Sequence, residues 1–246
     1  MHTRNIIAII PARYQSSRFP GKPLAIVNGK PMIQWVYEQT KKVVLIKDVY
    51  VATDDKRIFD TVVSFGGQAI MTGDCSCGTD RIFEASKDMD ADIIVNVQGD
   101  EPMIRPQMIE EVLSAFEDEN VLMSTLRKRI DDQEDIDNPN VVKVITDTSN
   151  DAIYFSRYPI PYKRNDLDEY KVYKHVGMYA YKKDFLKTFV NLPKSFLEKS
   201  ESLEQLRCLE NGFKIRVIET NGETIGVDTP EQLKAVEESM IKEGWV

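Results

Sequence analysis

Arg13, Arg18 and Lys22 crowd into one short segment, Pro11-Ala12-Arg13-Tyr14-Gln15-Ser16-Ser17-Arg18-Phe19-Pro20-Gly21-Lys22-Pro23-Leu24. A loop this rich in proline, serine and glycine lets three cations turn toward one point. Two guanidinium forks, a lysine point charge and the N–H groups of a turning backbone are what a triphosphate needs. The loop follows an almost unbroken apolar run from Arg4 to Pro11, which places it at the carboxyl end of a buried strand, where open α/β sheets take ligands. Neither the GxxxxGK[ST] phosphate loop nor the dinucleotide GxGxxG string occurs, so a triphosphate loop of another type remains. The plain alternative is an exposed basic loop with no ligand.

Two acidic turns accompany it. Asp100 lies in Val97-Gln98-Gly99-Asp100-Glu101-Pro102, just after another apolar run, and Asp228 lies in Gly226-Val227-Asp228-Thr229-Pro230. Mg²⁺ takes oxygen ligands and shares them with substrate phosphates, a role that two carboxylates from separate loops could fill. Each aspartate also has an ordinary reading as a residue at the start of a helix. Gly78-Thr79-Asp80-Arg81 opens a further helix after a strand; its N–H groups suit a base or a phosphate, or merely a strand-to-helix turn. His175 and Tyr179 are four residues apart in an alternating segment, hence on one face of a strand, with Gly177 between them. That face could receive a polar ligand, although a lone strand histidine is more often a structural donor, and no Ser/His/Asp or Cys/His grouping can be assembled around it.

The elements that must position these residues alternate. Runs at Asp48–Thr53, Gln68–Thr72 and Asp92–Val97 suit strands buried on both faces of a parallel sheet. Helical spacing separates them, through Met32, Trp35, Val36 and Gln39 to Val43; Ile58, Val62 and Phe65; and Met108 to Phe116. Alternation of this kind is the α/β signature. After Leu126 the chain changes character: the charged segment 127–140 reads as loop or turn, and Val141–Thr146, Ala152–Ser156 and Tyr173–Tyr181 read as strands. The charged run Lys163 to Lys171 reads as an exposed excursion. We expect a single domain over 1–246, with about 130–200 as an inserted lobe. Ser202-Leu203-Glu204-Gln205 and Thr229-Pro230-Glu231-Gln232 both match a helix-opening capping box.

Composition narrows the function classes. The balance of 32 Lys+Arg against 40 Asp+Glu, a formal charge of -8, argues against a nucleic-acid backbone as partner, so any anion site is a local cluster. No apolar run is long enough to span a bilayer or form a signal-peptide core, and a cytoplasmic protein is expected. The chain has three cysteines and two histidines, and Cys75 and Cys77 have no histidine near them in sequence. They read as packing residues or idle thiols rather than a zinc site.

Taken in order, IIPARYQSSRFPGKPL, VATDDKRI, CGTDRI, VNVQGDEPMI, YFSRYPIPY, YKHVGMYAY, SLEQLRCLENG and GVDTP resemble the cytidylyltransferases of acid sugars, most closely the 3-deoxy-manno-octulosonate (Kdo) family. The resemblance covers nearly the whole chain. It implies a Rossmann-like three-layer α/β/α nucleotidyltransferase fold, with a mixed, mostly parallel sheet and an extended lobe for dimerisation and sugar binding. It also implies a homodimer that makes CMP-Kdo and pyrophosphate from CTP and Kdo, for lipopolysaccharide or capsule. Carried over residue by residue, Arg13, Arg18 and Lys22 would hold the CTP phosphates, while Ala12 and the Cys77, Gly78, Thr79 and Arg81 turn would contact base and ribose. Asp100 and Asp228 would hold Mg²⁺, and with Arg13 and Lys22 would form the catalytic set. Gln98, Arg157, His175, Tyr179, Glu204 and Gln205 would line the sugar-acid pocket. Cys77 stands where the family usually has serine. The rival readings are a cytidylyltransferase for 8-amino-Kdo or a sialic acid, a non-catalytic nucleotide binder, and a glycosyltransferase of related fold.

Overall fold

Strand β1 (Ile6–Ala12) shows how the amino-terminal half assembles: Ile6 to Ile10 are all buried, so both faces of the strand are covered. The structure, a computed structural model, describes residues 4–16, 18–165, 170–223 and 225–246. These form two compact units, one comprising residues up to 110 with 222–246 and the other 111–221.

In the first unit β1 is followed by the hairpin β2 (Ile26–Val27) and β3 (Lys30–Pro31). Its two-residue turn uses Asn28 and Gly29 at φ 44° and 82°, the left-handed pair that Asn-Gly supplies at little cost. Then come α1 (Met32–Lys41), β4 (Asp48–Thr53), α2 (Lys56–Ser64), β5 (Gln68–Met71), α3 (Gly78–Ser86), β6 (Ile93–Asn96) and α4 (Pro106–Ser114). The strands run parallel in the order β6-β1-β4-β5, with Ala12 opposite Thr53 and Ile9 opposite Asn96. Every strand therefore ends on the same edge, and the loops after β1, β4, β5 and β6 leave from it. That is the geometry the apolar runs predict.

The second unit contains β7 (Met123–Ile130), α5 (Gln133–Asp137), β8 (Lys143–Thr146), β9 (Ala152–Ser156), β10 (Val172–Lys182), α6 (Lys183–Asn191), α7 (Phe196–Glu201), α8 (Leu206–Glu210) and β11 (Arg216–Glu219). Here β11 runs parallel to β7, and β7-β10-β8-β9 are antiparallel neighbours. The strands expected at 141–146, 152–156 and 173–181 are present. Two expectations fail. Much of the charged segment 127–140 is regular, because Arg127 to Ile130 complete β7 between β10 and β11 and Gln133–Asp137 form α5, capped by the Asp132 carboxylate. Ser202 opens no helix: at φ 52° it closes α7, whose real capping box is Ser195 with Glu198, and α8 starts only at Leu206. Within the expected excursion from Lys163 to Lys171, residues 166–169 lie outside the described residues.

The chain then returns to the first unit as α9 (Pro230–Lys242), opened by the predicted Thr229–Gln232 capping box with proline in its first turn. Val227, Val236 and Met240 pack with Val27, Met32, Trp35 and Met103 in one buried cluster. The Trp35 indole N–H donates to the Val27 carbonyl at 2.8 Å, so its one polar group is satisfied inside that cluster.

Candidate active site

Gly21 fixes the loop after β1. Its φ of 74° is left-handed, its N–H donates to the Tyr14 carbonyl at 2.8 Å, and Lys22 follows at the start of a single helical turn. The Lys22 side chain is only 13% exposed, and its ammonium donates to Asp100 Oδ2 at 2.7 Å and to Asp228 Oδ1 at 3.1 Å. Arg18 donates to the other Asp228 oxygen at 2.9 Å. Two backbone features bring the acidic turns together. The Val227 N–H donates to the Asp100 carbonyl at 2.9 Å, which joins the turn after β6 to the segment before α9. At Gly99 an added Cβ would sit 2.9 Å from the Pro11 carbonyl oxygen, so only glycine lets the β6 turn lie this close to the end of β1.

Two cations thus offset two carboxylates drawn from separate loops. No group of three or more His, Cys, Asp or Glu among the described residues could hold a metal alone. A divalent cation held by Asp100 and Asp228 would take its remaining oxygens from water and a ligand's phosphates, the habit of Mg²⁺ rather than of an all-protein cage.

These groups face a cavity of about 1060 Å³, lined by the loops at the carboxyl edge of the parallel strands. Ala12, Arg13, Arg18, Lys22, Cys77, Gly78, Arg81, Gln98, Asp100 and Asp228 all line it. Arg13 is exposed on its wall, with no ion pair to another described residue. Thr79 is not among the lining residues and is buried in the first turn of α3. Cys77 caps that helix, its sulfur accepting the Asp80 N–H at 3.4 Å, so the residue standing for serine does serine's local work. The buried Arg81 guanidinium donates to Asp54 at 2.7 Å and to the Thr72 hydroxyl. Burial, followed by the neighbouring Glu84 carboxylate, pushes the Cys75 thiol up to about 11, so it is protonated and a poor nucleophile at neutral pH. The lining residues that sequence reasoning did not assign include Tyr14, Asp55 and Arg57. The signal for Asp55 and Arg57 was the Asp54-Asp55 turn just after β4, which leaves the same sheet edge as the cationic loop that carries Tyr14.

The remaining predicted residues belong to the second unit. His175 is half-buried in β10, its ring 5.3 Å from that of Tyr179 and 5.0 Å from that of Phe155. Burial lowers its pKa to about 3, and its Nε2 lies 3.0 Å from the Thr125 hydroxyl. The β10–β7 register slips by two residues between Val176 and Tyr179, which preserves side-chain parity and leaves both rings on one face. Burial, then the Glu204 carboxylate, raises the Tyr179 phenol well above its usual range. Glu204 pairs with Arg207 at 2.6 Å, and the Nε2 of the buried Gln205 has no hydrogen-bond partner among the described residues. The structure therefore groups His175 and Tyr179 with Glu204. Arg157 sits in another cluster: its guanidinium donates to the Glu201 and Pro139 carbonyls at 2.6 and 2.9 Å, and its backbone N–H to the Glu201 carboxylate.

Comparison with known proteins places the chain in a family. Residues 7–216 match the family described as Cytidylyltransferase. A 3-deoxy-manno-octulosonate cytidylyltransferase of Geobacter metallireducens is 53% identical, over 96% of this chain and 97% of its own. That of Trichlorobacter lovleyi is 51% identical, over 96% and 98%. A solved CMP:2-keto-3-deoxy-manno-octonic acid synthetase complexed with CTP superposes with a TM-score of 0.93 at 47% identity, covering 97% of this chain and 99% of that one. A 4-diphosphocytidyl-2C-methyl-D-erythritol synthase from Anaerococcus prevotii, 15% identical with a TM-score of 0.65, shares the fold alone.

Proposed function

The chain belongs to the cytidylyltransferase family, in its 3-deoxy-manno-octulosonate branch, and we propose that it activates Kdo with CTP to give CMP-Kdo and pyrophosphate. The observation that carries this reading is the junction of Lys22 with Asp100 and Asp228 on a cavity that Arg13 and Arg18 also line. A triphosphate with a divalent cation is the ligand such a charge pattern fits.

The C2 hydroxyl of the sugar acid attacks the α-phosphorus, a new oxygen–phosphorus bond forms, the bond to the β-phosphate breaks, and the hydroxyl proton passes to solvent. Arg13, Arg18 and Lys22 take up charge on the phosphates and the departing pyrophosphate, so positioning and electrostatics carry most of the catalysis. Lys22 exchanges carboxylate partners for phosphate oxygens as CTP enters. Asp100 and Asp228 would hold Mg²⁺, which when bound would polarise the phosphate and lower the pKa of the attacking hydroxyl. The backbone at Ala12 and the turn formed by Cys77, Gly78 and Arg81 take the base and ribose. His175, Tyr179, Glu204 and Gln205 select the sugar acid, with His175 acting as a neutral hydrogen-bonding group. We assign the enzyme to the cytoplasm, as a homodimer paired through a lobe at about 130–200 that also serves the sugar pocket. No helix among the described residues is long and apolar enough to cross a membrane. The product serves lipopolysaccharide or capsule synthesis.

Product analysis tests the reaction class. CTP and Kdo with Mg²⁺ should give equimolar CMP-Kdo and pyrophosphate by phosphorus NMR. Release of a nucleoside diphosphate from a nucleotide-diphosphate sugar, with none of the pyrophosphate from CTP, would make the chain a glycosyltransferase, and tight CTP binding without turnover would make it a binding protein.

A further inference from the structure

We propose that Arg57 and Tyr14 form a positioning latch that holds the cationic loop in its phosphate-ready conformation, Arg57 acting through the Tyr14 ring rather than on CTP itself. The inference rests on the reading of that loop as a triphosphate cradle.

The Arg57 guanidinium carbon lies 3.3 Å over the centre of the Tyr14 ring. Its charge is already committed, because Nε and Nη2 donate to the two Asp55 carboxylate oxygens at 2.9 and 2.6 Å. Asp55 is itself fixed: it caps α2 by accepting the Arg57 N–H at 2.9 Å. Arg57 therefore offers the cavity a flat, neutralised plate anchored on a helix end. Tyr14 also reaches Gly21, where a Cβ would meet the ring and hydroxyl at 3.0 to 3.2 Å, and the Gly21 N–H closes onto the Tyr14 carbonyl. Lys22 comes next. The path runs from the α2 cap through the Arg57 stack on the Tyr14 ring and the Gly21 N–H bond to the Tyr14 carbonyl, and reaches Lys22 as the next residue of the chain.

A lysine at position 57 would keep the charge yet lose both the fork onto Asp55 and the stacking plane. The test compares Arg57→Ala, Arg57→Lys, Tyr14→Ala and the Arg57→Ala/Tyr14→Ala pair. Two quantities are read: the Kd for CTP with Mg²⁺ by calorimetry, without sugar acid, and the rate of tryptic cleavage after Arg18. Arg57→Ala should weaken CTP binding about tenfold and speed that cleavage about as much, the scale of one lost stacking contact. Arg57→Lys should recover little of either. The pair should be no worse than Tyr14→Ala alone, as for residues acting in series. Unchanged cleavage with weakened CTP binding, or recovery by Arg57→Lys, would mean that Arg57 meets the phosphate through its charge, and the latch would be wrong; so would no change in either readout. If the wild type binds CTP and shows the latch behaviour but turns over no sugar acid, the proposed reaction fails and the latch stands.

Discussion

Lys22 bridges two carboxylates with one ammonium, and in the proposed reaction the same ammonium meets the transferring phosphates. Lys22→Ala should lower kcat/KM for CTP by at least about a hundredfold, the usual loss when a preorganised donor to developing charge is removed; pyrophosphate release at saturating sugar acid measures it. Cys77→Ser should be nearly silent in activity, since the sulfur caps α3 by accepting the Asp80 N–H and a hydroxyl can do the same; a large loss of turnover would contradict this. His175 carries the pH prediction. Its folded pKa is depressed from 6.5 to about 3 by burial, so below about pH 6.5 the unfolded chain binds a proton that the folded chain refuses. Stability should then fall with decreasing pH between these values, by at most about 1.4 kcal/mol per unit, with no such contribution above them. The Tm of the wild type should drop relative to that of His175→Gln between pH 6.5 and 5, and parallel curves would sink the assignment. At this scale the sequence discloses the charged residues well, because cations and carboxylates beside glycine and proline are visible as strings. Tyr14 and Arg57 were not visible as partners, since stacking across loops leaves no local spacing to read.

The capping box of α9 ties an element to the site. Gln232 Oε1 accepts from the backbone N–H of Asp228 at 2.7 Å and of Thr229 at 3.1 Å, while Thr229 Oγ accepts the Gln232 N–H. Gln232→Ala should cost about 1 kcal/mol of stability and, by loosening the Asp228 backbone, raise the Mg²⁺ concentration needed for half-maximal rate. A melting curve and a metal titration check the two effects separately. Strands β1 and β6 were legible because they are buried on both faces and so read as unbroken apolar runs, whereas β5, expected to be buried likewise, is an edge strand and only half-buried, with Met71 exposed. Strand β7 was not: its Arg127-Lys128-Arg129 end sits among partners and ion pairs such as Arg127 with Glu219, an arrangement set by the tertiary fold. Local pattern also could not choose between Ser195-Phe196-Leu197-Glu198 and Ser202-Leu203-Glu204-Gln205 as a capping box, since both match it and only the left-handed Ser202 decides.

An acidic molecule with a formal charge of -8 that gathers Arg13, Arg18 and Lys22 at one cavity has concentrated its positive charge for a single anionic ligand. Reading the chain as α/β needed only the alternation of runs, and the comparisons bear out that fold class. The extent of the second unit, 111–221, was less visible, because no glycine- or proline-rich linker marks its start. The most direct test of the account is Mg²⁺- and CTP-dependent pyrophosphate release measured across Kdo, 8-amino-Kdo and a sialic acid, with Asp100→Ala beside the wild type. The account predicts the highest kcat/KM with Kdo and none of that release in Asp100→Ala. Release with another acid sugar but not with Kdo, or release undiminished in Asp100→Ala, would contradict it.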